Sequence, residues 1–291
     1  MELLQLSELS RIEPRPGIYK MYDRGALLYV GKSKQLRHRV RQYFGGSHHA
    51  PKIRHMVARI DAVGIEYTPS HLEAMLAEER EIKRLQPPYN RILKREIRAV
   101  RFVPDRRAPL LYRLAPGGFG PVQKESFLRE FFLSLRHLFP FDGPLAYHPL
   151  PLRLTAAEAA QTEARLAAIF SDEAAFSAFL DAIRTLQKKS VAALYFERAE
   201  TLEVMHRQAS RLGRNLFLYD AFLSDTHVLC EPTPAGNRHF VVKQGILTHV
   251  GYEEGALQAY PYRDTATEDH RRILFSHYVQ YGDCDTRGNF F

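Results

Sequence analysis

Two tyrosines ten residues apart, Tyr19 and Tyr29, run into Gly31-Lys32, and farther along come an arginine and a glutamate in places where apolar residues are expected. Leu36, Arg39, Val40 and Tyr43 stand at i, i+3, i+4 and i+7, the spacing of a buried helical stripe, so Arg39 occupies a core position. Its guanidinium either snorkels outward or faces an anion. Leu72, Met75, Leu76, Ile82 and Leu85 mark the apolar face of a later helix, with Glu78 and Glu79 at or near it. A carboxylate against a core needs a basic or metal partner, and periodicity does not choose between the two. Phenols, cations and one acid suit phosphodiester hydrolysis, which needs an activated water, neutralised phosphoryl oxygens and a stabilised leaving alkoxide.

These groups need a scaffold. Gly17–Tyr22 and Ala26–Val30 read as a hairpin across Asp23-Arg24-Gly25. Alternation puts Tyr19 and Met21 on one face, with Leu27, Tyr29 and Gly31 in the same rhythm. Gly31 permits close backbone approach. Ser33 is the expected cap of a helix through Phe44, and Pro51 opens a second helix. Val63, Ile65 and Tyr67 alternate as a third strand, and a helix from Ser70 to Gln86 stops at Pro87-Pro88. Beyond it, 99–103 and 110–114 read as strands, 104–109 as a turn, 117–121 as a loop and 125–138 as a helix. Pro140–Pro151 reads as a proline-rich boundary, 155–212 as two or three helices, 217–229 and 238–250 as a hairpin, and 268–281 as a last helix. The class is α+β: a small α/β unit of three strands flanked by helices, a helical region, and a small β-containing C-terminal part.

The chain carries 41 Lys and Arg against 33 Asp and Glu, a net charge of +8. Between Asp23 and Asp61 there is no acidic residue, but there are nine basic ones, Lys32, Lys34, Arg37, Arg39 and Arg41 among them. A second basic stretch runs from Arg91 to Arg107. Such concentration suits a polyphosphate partner, through release of condensed counterions. Cys230 and Cys284 are too few and too far apart for a metal knuckle or a disulfide framework. No secretory signal or membrane-spanning run is read, so the expected location is cytoplasmic, with no membrane partner.

The joint order of these residues resembles the GIY-YIG nuclease family. Pro16-Gly17-Ile18-Tyr19, Leu28-Tyr29-Val30-Gly31-Lys32, Arg39, Tyr43, Glu78 with Ile82-Lys83, and Pro87-Pro88-Tyr89-Asn90 follow its layout, most like the amino-terminal half of the excinuclease UvrC and its shorter homologue Cho. The second motif reads Tyr-Val-Gly. The resemblance selects Glu78, twelve residues before Asn90, over Glu79. It implies that Glu78 binds a single Mg²⁺ or Mn²⁺ and that Arg39 neutralises the phosphoryl oxygens. Tyr19 and Tyr29 would lie beside the attacking water, one of them base or relay, with Lys32 the cation that favours a phenolate. Gly31, Tyr43 and Asn90 would support the site, and Lys34 and Arg37 would contact substrate.

The likeness continues through Phe119-Gly120-Pro121 and the following helix. No cysteine precedes Cys230, so the iron–sulfur cluster UvrC carries there is not expected. Ala193–Ala199 and Leu202 are similar to the helical hairpin through which UvrC pairs with UvrB, with Glu203-Val204 in place of the usual Arg-Asp. With so few residues after these segments, the second nuclease domain and the helix–hairpin–helix clamp of UvrC are not expected here. The expected divisions are a GIY-YIG endonuclease domain at 14–95, a UvrC-like extension at 96–145, a helical region at 152–215 and a β/α region at 216–291. The implied function is a metal-dependent, structure-directed DNA endonuclease making one incision in nucleotide excision repair. The alternatives are an inactive nucleic-acid-binding adaptor and a nuclease acting on RNA.

Overall fold

The computed structural model describes residues 1–45, 50–96, 98–105, 111–141, 143–150, 154–252, 256–262 and 267–284. Most of the turn expected at 104–109, with Arg106 and Arg107, lies outside them.

A short strand β1 (Glu2–Gln5) and a 3-10 turn over Leu6–Arg11 precede the hairpin β2 (Gly17–Asp23) and β3 (Ala26–Ser33). Then come α1 (Leu36–Phe44), α2 (Pro51–Val57), β4 (Ala62–Tyr67) and α3 (His71–Leu85). The strands make one antiparallel sheet in the order β1-β4-β2-β3. It has one strand beyond the three read from the sequence, because residues 2–5 pair with 62–65.

In the β2–β3 hairpin Tyr19 lies opposite Gly31 and Met21 opposite Tyr29. A bulge beyond Met21 shifts the phase, so Leu28 is buried and Leu27 only partly so. Ser33 ends β3; its hydroxyl accepts from the Gln35 amide, and α1 starts only at Leu36, so Ser33 is a turn residue and not the helix cap. Leu36, Val40 and Tyr43 of α1 are buried with Tyr19, Met21 and Val63. Full burial of such aliphatic side chains contributes about 1.5–3 kcal/mol each.

The boundaries of α3 follow from local chemistry. The Ser70 hydroxyl accepts from the Glu73 amide, Lys83 and Arg84 occupy the last turn, and Gln86 takes the left-handed conformation (φ 50°) before Pro87. The sequence pattern did not single out Lys20, which sits in the central strand and is 6% exposed. Its ammonium meets Glu81 of α3 at 2.7 Å, and Arg84 donates to the same carboxylate at 2.8 Å.

Residues 97–223 form a second compact unit. Its sheet, β6-β5-β7, comprises β5 (Val100–Asp105), β6 (Leu111–Leu114) and β7 (Phe119–Val122), the last occupying ground expected to be loop. α4 (Glu125–Leu135) leads to the paired two-residue strands β8 (Leu138–Phe139) and β9 (Ala146–Tyr147). Three helices follow: α5 (Ala156–Ser171), α6 (Glu173–Ala192) and α7 (Phe196–Gly213). Phe102, Phe131, Phe132 and Phe170 meet in its core. The boundary expected at 140–151 instead lies inside this unit, where Phe141 is a core residue.

A π-helical stretch, Arg214–Leu218, passes into α8 (Tyr219–Ser224), so the strand expected from Phe217 begins only at β10 (Thr226–Thr233). β11 (Gly236–Lys243), β12 (Ile246–Tyr252) and β13 (Gln258–Ala259) complete a sheet ordered β10-β11-β12-β13, and α9 (Glu268–Tyr281) closes the described chain. Residues 224–291 fall in the same compact unit as 1–96, so the expected succession of four domains is replaced by two units, one of them discontinuous. Cys230 and Cys284, 54 residues apart, are joined as a disulfide, which sequence spacing had argued against. Among the described residues no helix is long and apolar enough to cross a membrane.

Arg84 and Lys20 outweigh burial and hold the Glu81 carboxyl at about 2. A lowered folded value means that this stabilisation is complete above the ordinary value of 4.5 and fades as pH falls toward 2. Glu81→Ala leaves Lys20 buried without its partner, and urea denaturation at pH 7 is expected to show a loss of about 3 kcal/mol. The difference from wild type should shrink in measurements taken toward pH 2.

Candidate active site

Tyr19 is 1% exposed and its ring crosses over Gly31 of the neighbouring strand. A Cβ at Gly31 would stand 2.4 Å from the Tyr19 hydroxyl, so only glycine permits this approach. Tyr29 is diagonal to Tyr19 on the same face, with ring centroids 6.0 Å apart. Tyr43 comes in from α1, its centroid 5.9 Å from Tyr19 and 6.4 Å from Tyr29, and its hydroxyl is 3.0 Å from that of Tyr19. Three phenols from three elements thus form one cluster.

Arg39 lies one turn before Tyr43. Its guanidinium sits 5.2 Å from the centre of the Tyr43 ring and donates to the Tyr43 hydroxyl at 3.4 Å and to Gln42 at 3.3 Å. The residue remains exposed, so the guanidinium both faces the phenols and reaches solvent. Burial raises Tyr19 well above the ordinary phenol range, and the neighbouring Tyr43 and Tyr29 add to the effect. Burial, with Tyr43 and Glu78 nearby, raises Tyr29 as well. Arg39 opposes both shifts without cancelling them. The cation acting on the phenols is therefore Arg39, whereas the sequence pointed to Lys32.

Lys32 acts on Glu78. Its backbone amide donates to Glu78 Oε1 at 3.1 Å, and its ammonium favours the charged carboxylate, as does Arg39 more weakly. Burial outweighs all three and lifts Glu78 to about 7. This carboxylate lacks a full countercharge, the environment that a bound divalent cation would relieve. Glu78 is a lone acid here: among the described residues the one close grouping of three side chains of metal-ligating type is Cys230, His239 and Cys284, on β10, β11 and the segment after α9, and its two cysteines are taken up by their disulfide. An ion held by one carboxylate keeps most of its coordination for water and substrate oxygens, as Mg²⁺ commonly does.

Glu79, which stands nearer the centre of the apolar stripe, faces elsewhere. It is 2% exposed, lies 3.2 Å from the Lys83 ammonium and accepts from the Thr267 hydroxyl at 2.7 Å.

Asn90 works from behind. Its side-chain oxygen accepts from the Val30 amide at 3.0 Å and its nitrogen donates to the Val30 carbonyl at 2.8 Å. Because β3 is an edge strand, these are backbone groups that no further strand satisfies. Asn90 thereby anchors the backbone between Tyr29 and Gly31. The other predicted substrate contacts are less tightly gathered. Arg37 donates to the Ile12 carbonyl at 2.5 Å, and Lys34 is exposed at the start of the turn into α1.

Comparison with known proteins matches residues 15–91 to a UvrC-like GIY-YIG domain. The UvrABC system protein C of Saccharophagus degradans is 43% identical over 89 residues, covering 30% of this chain and 14% of that protein. That of Desulfitobacterium hafniense is 32% identical over 243 residues, 76% of this chain and 40% of that protein. The chain thus spans less than half the length of these relatives. A crystal structure of the GIY-YIG N-terminal endonuclease domain of UvrC from Thermotoga maritima, bound to magnesium, is 26% identical and covers 29% of this chain and 93% of that one, with a TM-score of 0.27. Residues 15–91 are a UvrC-like GIY-YIG nuclease domain.

Proposed function

We propose that residues 14–95 act as a structure-directed DNA endonuclease of the UvrC/Cho type, hydrolysing one phosphodiester per binding event in nucleotide excision repair. The observation that carries this reading is the clustering of Tyr19, Tyr29 and Tyr43 with the exposed Arg39 guanidinium, and an under-compensated Glu78 carboxylate near enough to act on Tyr29 and to feel Arg39. Glu78 is the residue that would hold Mg²⁺ or Mn²⁺. A divalent cation there supplies positive charge to the scissile phosphate and the departing oxygen. Arg39 neutralises a phosphoryl oxygen, and Lys32, Lys34 and Arg37 receive flanking phosphates. Tyr19 and Tyr29, both pushed toward the neutral form, suit a proton relay running through Tyr43 better than a resident phenolate base. Gly31 and Asn90 keep the hairpin in the register the relay needs.

A partner is proposed on separate grounds. The turn between α6 and α7 exposes Leu194, Tyr195 and Phe196, at 71%, 61% and 65%, and Leu194 adopts a positive φ of 61°. Three adjacent solvated apolar side chains suit a protein interface. The resemblance of this hairpin to the UvrB-pairing motif names UvrB as the partner. Glu203, which departs from the motif, is paired with Arg184 of α6 at 2.9 Å.

Nicking of labelled flap, bubble and damaged duplexes with Mg²⁺ or Mn²⁺ tests the activity, with RNA counterparts alongside to separate the two substrates. Glu78→Ala and Arg39→Ala are each expected to slow nicking on the order of 100- to 1,000-fold while DNA affinity changes little. Metal-independent cutting, or an active Glu78→Ala protein, would sink the reading.

The raised carboxyl also has a thermal signature without any substrate. Because the folded value lies above the ordinary 4.5, the metal-free fold loses stability as pH rises from 4.5 through about 7, above which the loss is complete. Glu78→Gln should therefore melt about 4 °C higher than wild type at pH 8 in a chelator, with the gap closing below pH 4.5. Mn²⁺ should raise the melting temperature of wild type and leave Glu78→Gln unmoved.

For the partner, a Tyr195→Ala, Phe196→Ala double variant is expected to weaken UvrB binding by about tenfold or more in a titration. Equal affinity of variant and wild type would remove the exposed turn as the docking point.

A further inference from the structure

Glu231 lies on β10, far along the chain from the nuclease motifs, yet its carboxylate accepts from the His71 amide at 2.9 Å and the Leu72 amide at 2.8 Å. These are the first two amides of α3; Ser70 takes the third, Glu73, and the first intrahelical bond runs from Ala74 to the Ser70 carbonyl. The free amides at this helix end are thus satisfied by one local hydroxyl and one remote carboxylate, whose charge also suits the positive end of the helix. Next to them Arg238 of β11 pairs with Glu73 at 2.9 Å, each side chain 12% exposed, and the Arg238 guanidinium lies 4.7 Å from the centre of the Tyr252 ring.

The far half of α3 is held in a second way. Thr267, the cap of α9, accepts from the His270 amide at 3.2 Å and donates its own proton to Glu79 at 2.7 Å. Lys83 lies between Glu79 and Asp269, bonded to both. All of these partners belong to the unit that contains residues 1–96 and 224–291.

Successive side chains on a helix are separated by about 100° around its axis. Fastening Glu79 to Thr267 and Lys83 to Asp269 therefore sets the direction of Glu78. We infer that β10, β11 and α9 form a brace that fixes the axial position and rotation of α3, with Glu231, Thr267 and Asp269 as positioning residues for Glu78. The inference rests on the metal-binding role proposed for Glu78, and it gives residues 224–284 a task in the nuclease site.

The test uses the full chain. Hydrogen–deuterium exchange over 71–85 without metal, and Mn²⁺ affinity by electron paramagnetic resonance, are measured for wild type, Glu231→Gln, Thr267→Val and Leu202→Ala. The last empties a buried position in the other unit and controls for general destabilisation. Glu231→Gln and Thr267→Val should speed amide exchange in α3 about tenfold and weaken Mn²⁺ about five- to tenfold, with nicking at saturating metal within about threefold of wild type. Leu202→Ala should lower the melting temperature without either effect. If Glu231→Gln does not fold, Thr267→Val, which removes one hydroxyl and keeps the volume, decides alone.

Unchanged exchange and Mn²⁺ affinity, in a protein whose Mn²⁺ binding Glu78→Ala abolishes, would overturn the brace and leave the nuclease reading standing. Mn²⁺ binding that survives Glu78→Ala would instead remove the premise about Glu78.

Discussion

The site hangs on the pairing of β2 with β3 in the register that sets Tyr19 across from Gly31. Strand side chains alternate between faces, so a slip of β3 by one residue would turn Tyr29 to the far face and take Gly31 from beneath the Tyr19 ring. The missing Cβ at Gly31 lets the Tyr19 ring lie over the neighbouring strand. Asn90 then closes the free edge at Val30, between Tyr29 and Gly31. Once this register is set, Tyr43 can join the phenols from α1, and the Lys32 amide arrives where Glu78 can accept from it. A short stretch of antiparallel ladder thus organises groups drawn from three other segments of the chain.

Three glutamates within one turn of α3 show how differently a single helix can treat the same side chain. Glu81 has an ammonium and a guanidinium at hydrogen-bonding distance and is held at about 2. Glu79 is enclosed by Lys83 and Thr267. Glu78 has an amide and two more distant cations, too little to offset burial, and sits near 7. Buried acids in folded proteins are normally compensated, and one that is not tends to mark a functional position. The stability forgone at Glu78 is recovered around it, in the Lys20–Glu81 pair and the capped ends of the helix.

The order of the chain hides the way α3 is supported. Residues 97–223 form their own unit around a phenylalanine-rich core, and the chain then returns to the first unit with β10. A helix that reads as the end of a small nuclease domain is therefore flanked by residues about 160 to 190 positions later, as the bonds from Glu231 and Thr267 show. Ligands to a phosphate or an ion act only when held to within a fraction of an ångström, and such support is common around residues of this kind.

What the sequence determined by itself was local or carried by motif order. The hairpin, the start of α3 at Ser70 and its end at Pro87, and the span of α9 are written in alternation, caps and breakers, which act over a few residues. The identity of Tyr19, Tyr29, Lys32, Arg39 and Glu78 as a set came from their order along the chain. Rotation of α3 was beyond a helical wheel: Glu78 and Glu79 both lie at or near the apolar stripe, Glu79 nearer its centre, motif order alone favoured Glu78, and the bonds from α9 show where Glu79 is engaged instead. The pairing of β1 with β4, the Lys20–Glu81 ion pair, the union of Cys230 with Cys284 and the return of residues 224–291 to the first unit were likewise tertiary decisions. Each joins surfaces that no periodicity relates, because which faces meet is settled by the burial and charge pairing of the whole chain and not by the few residues around each position.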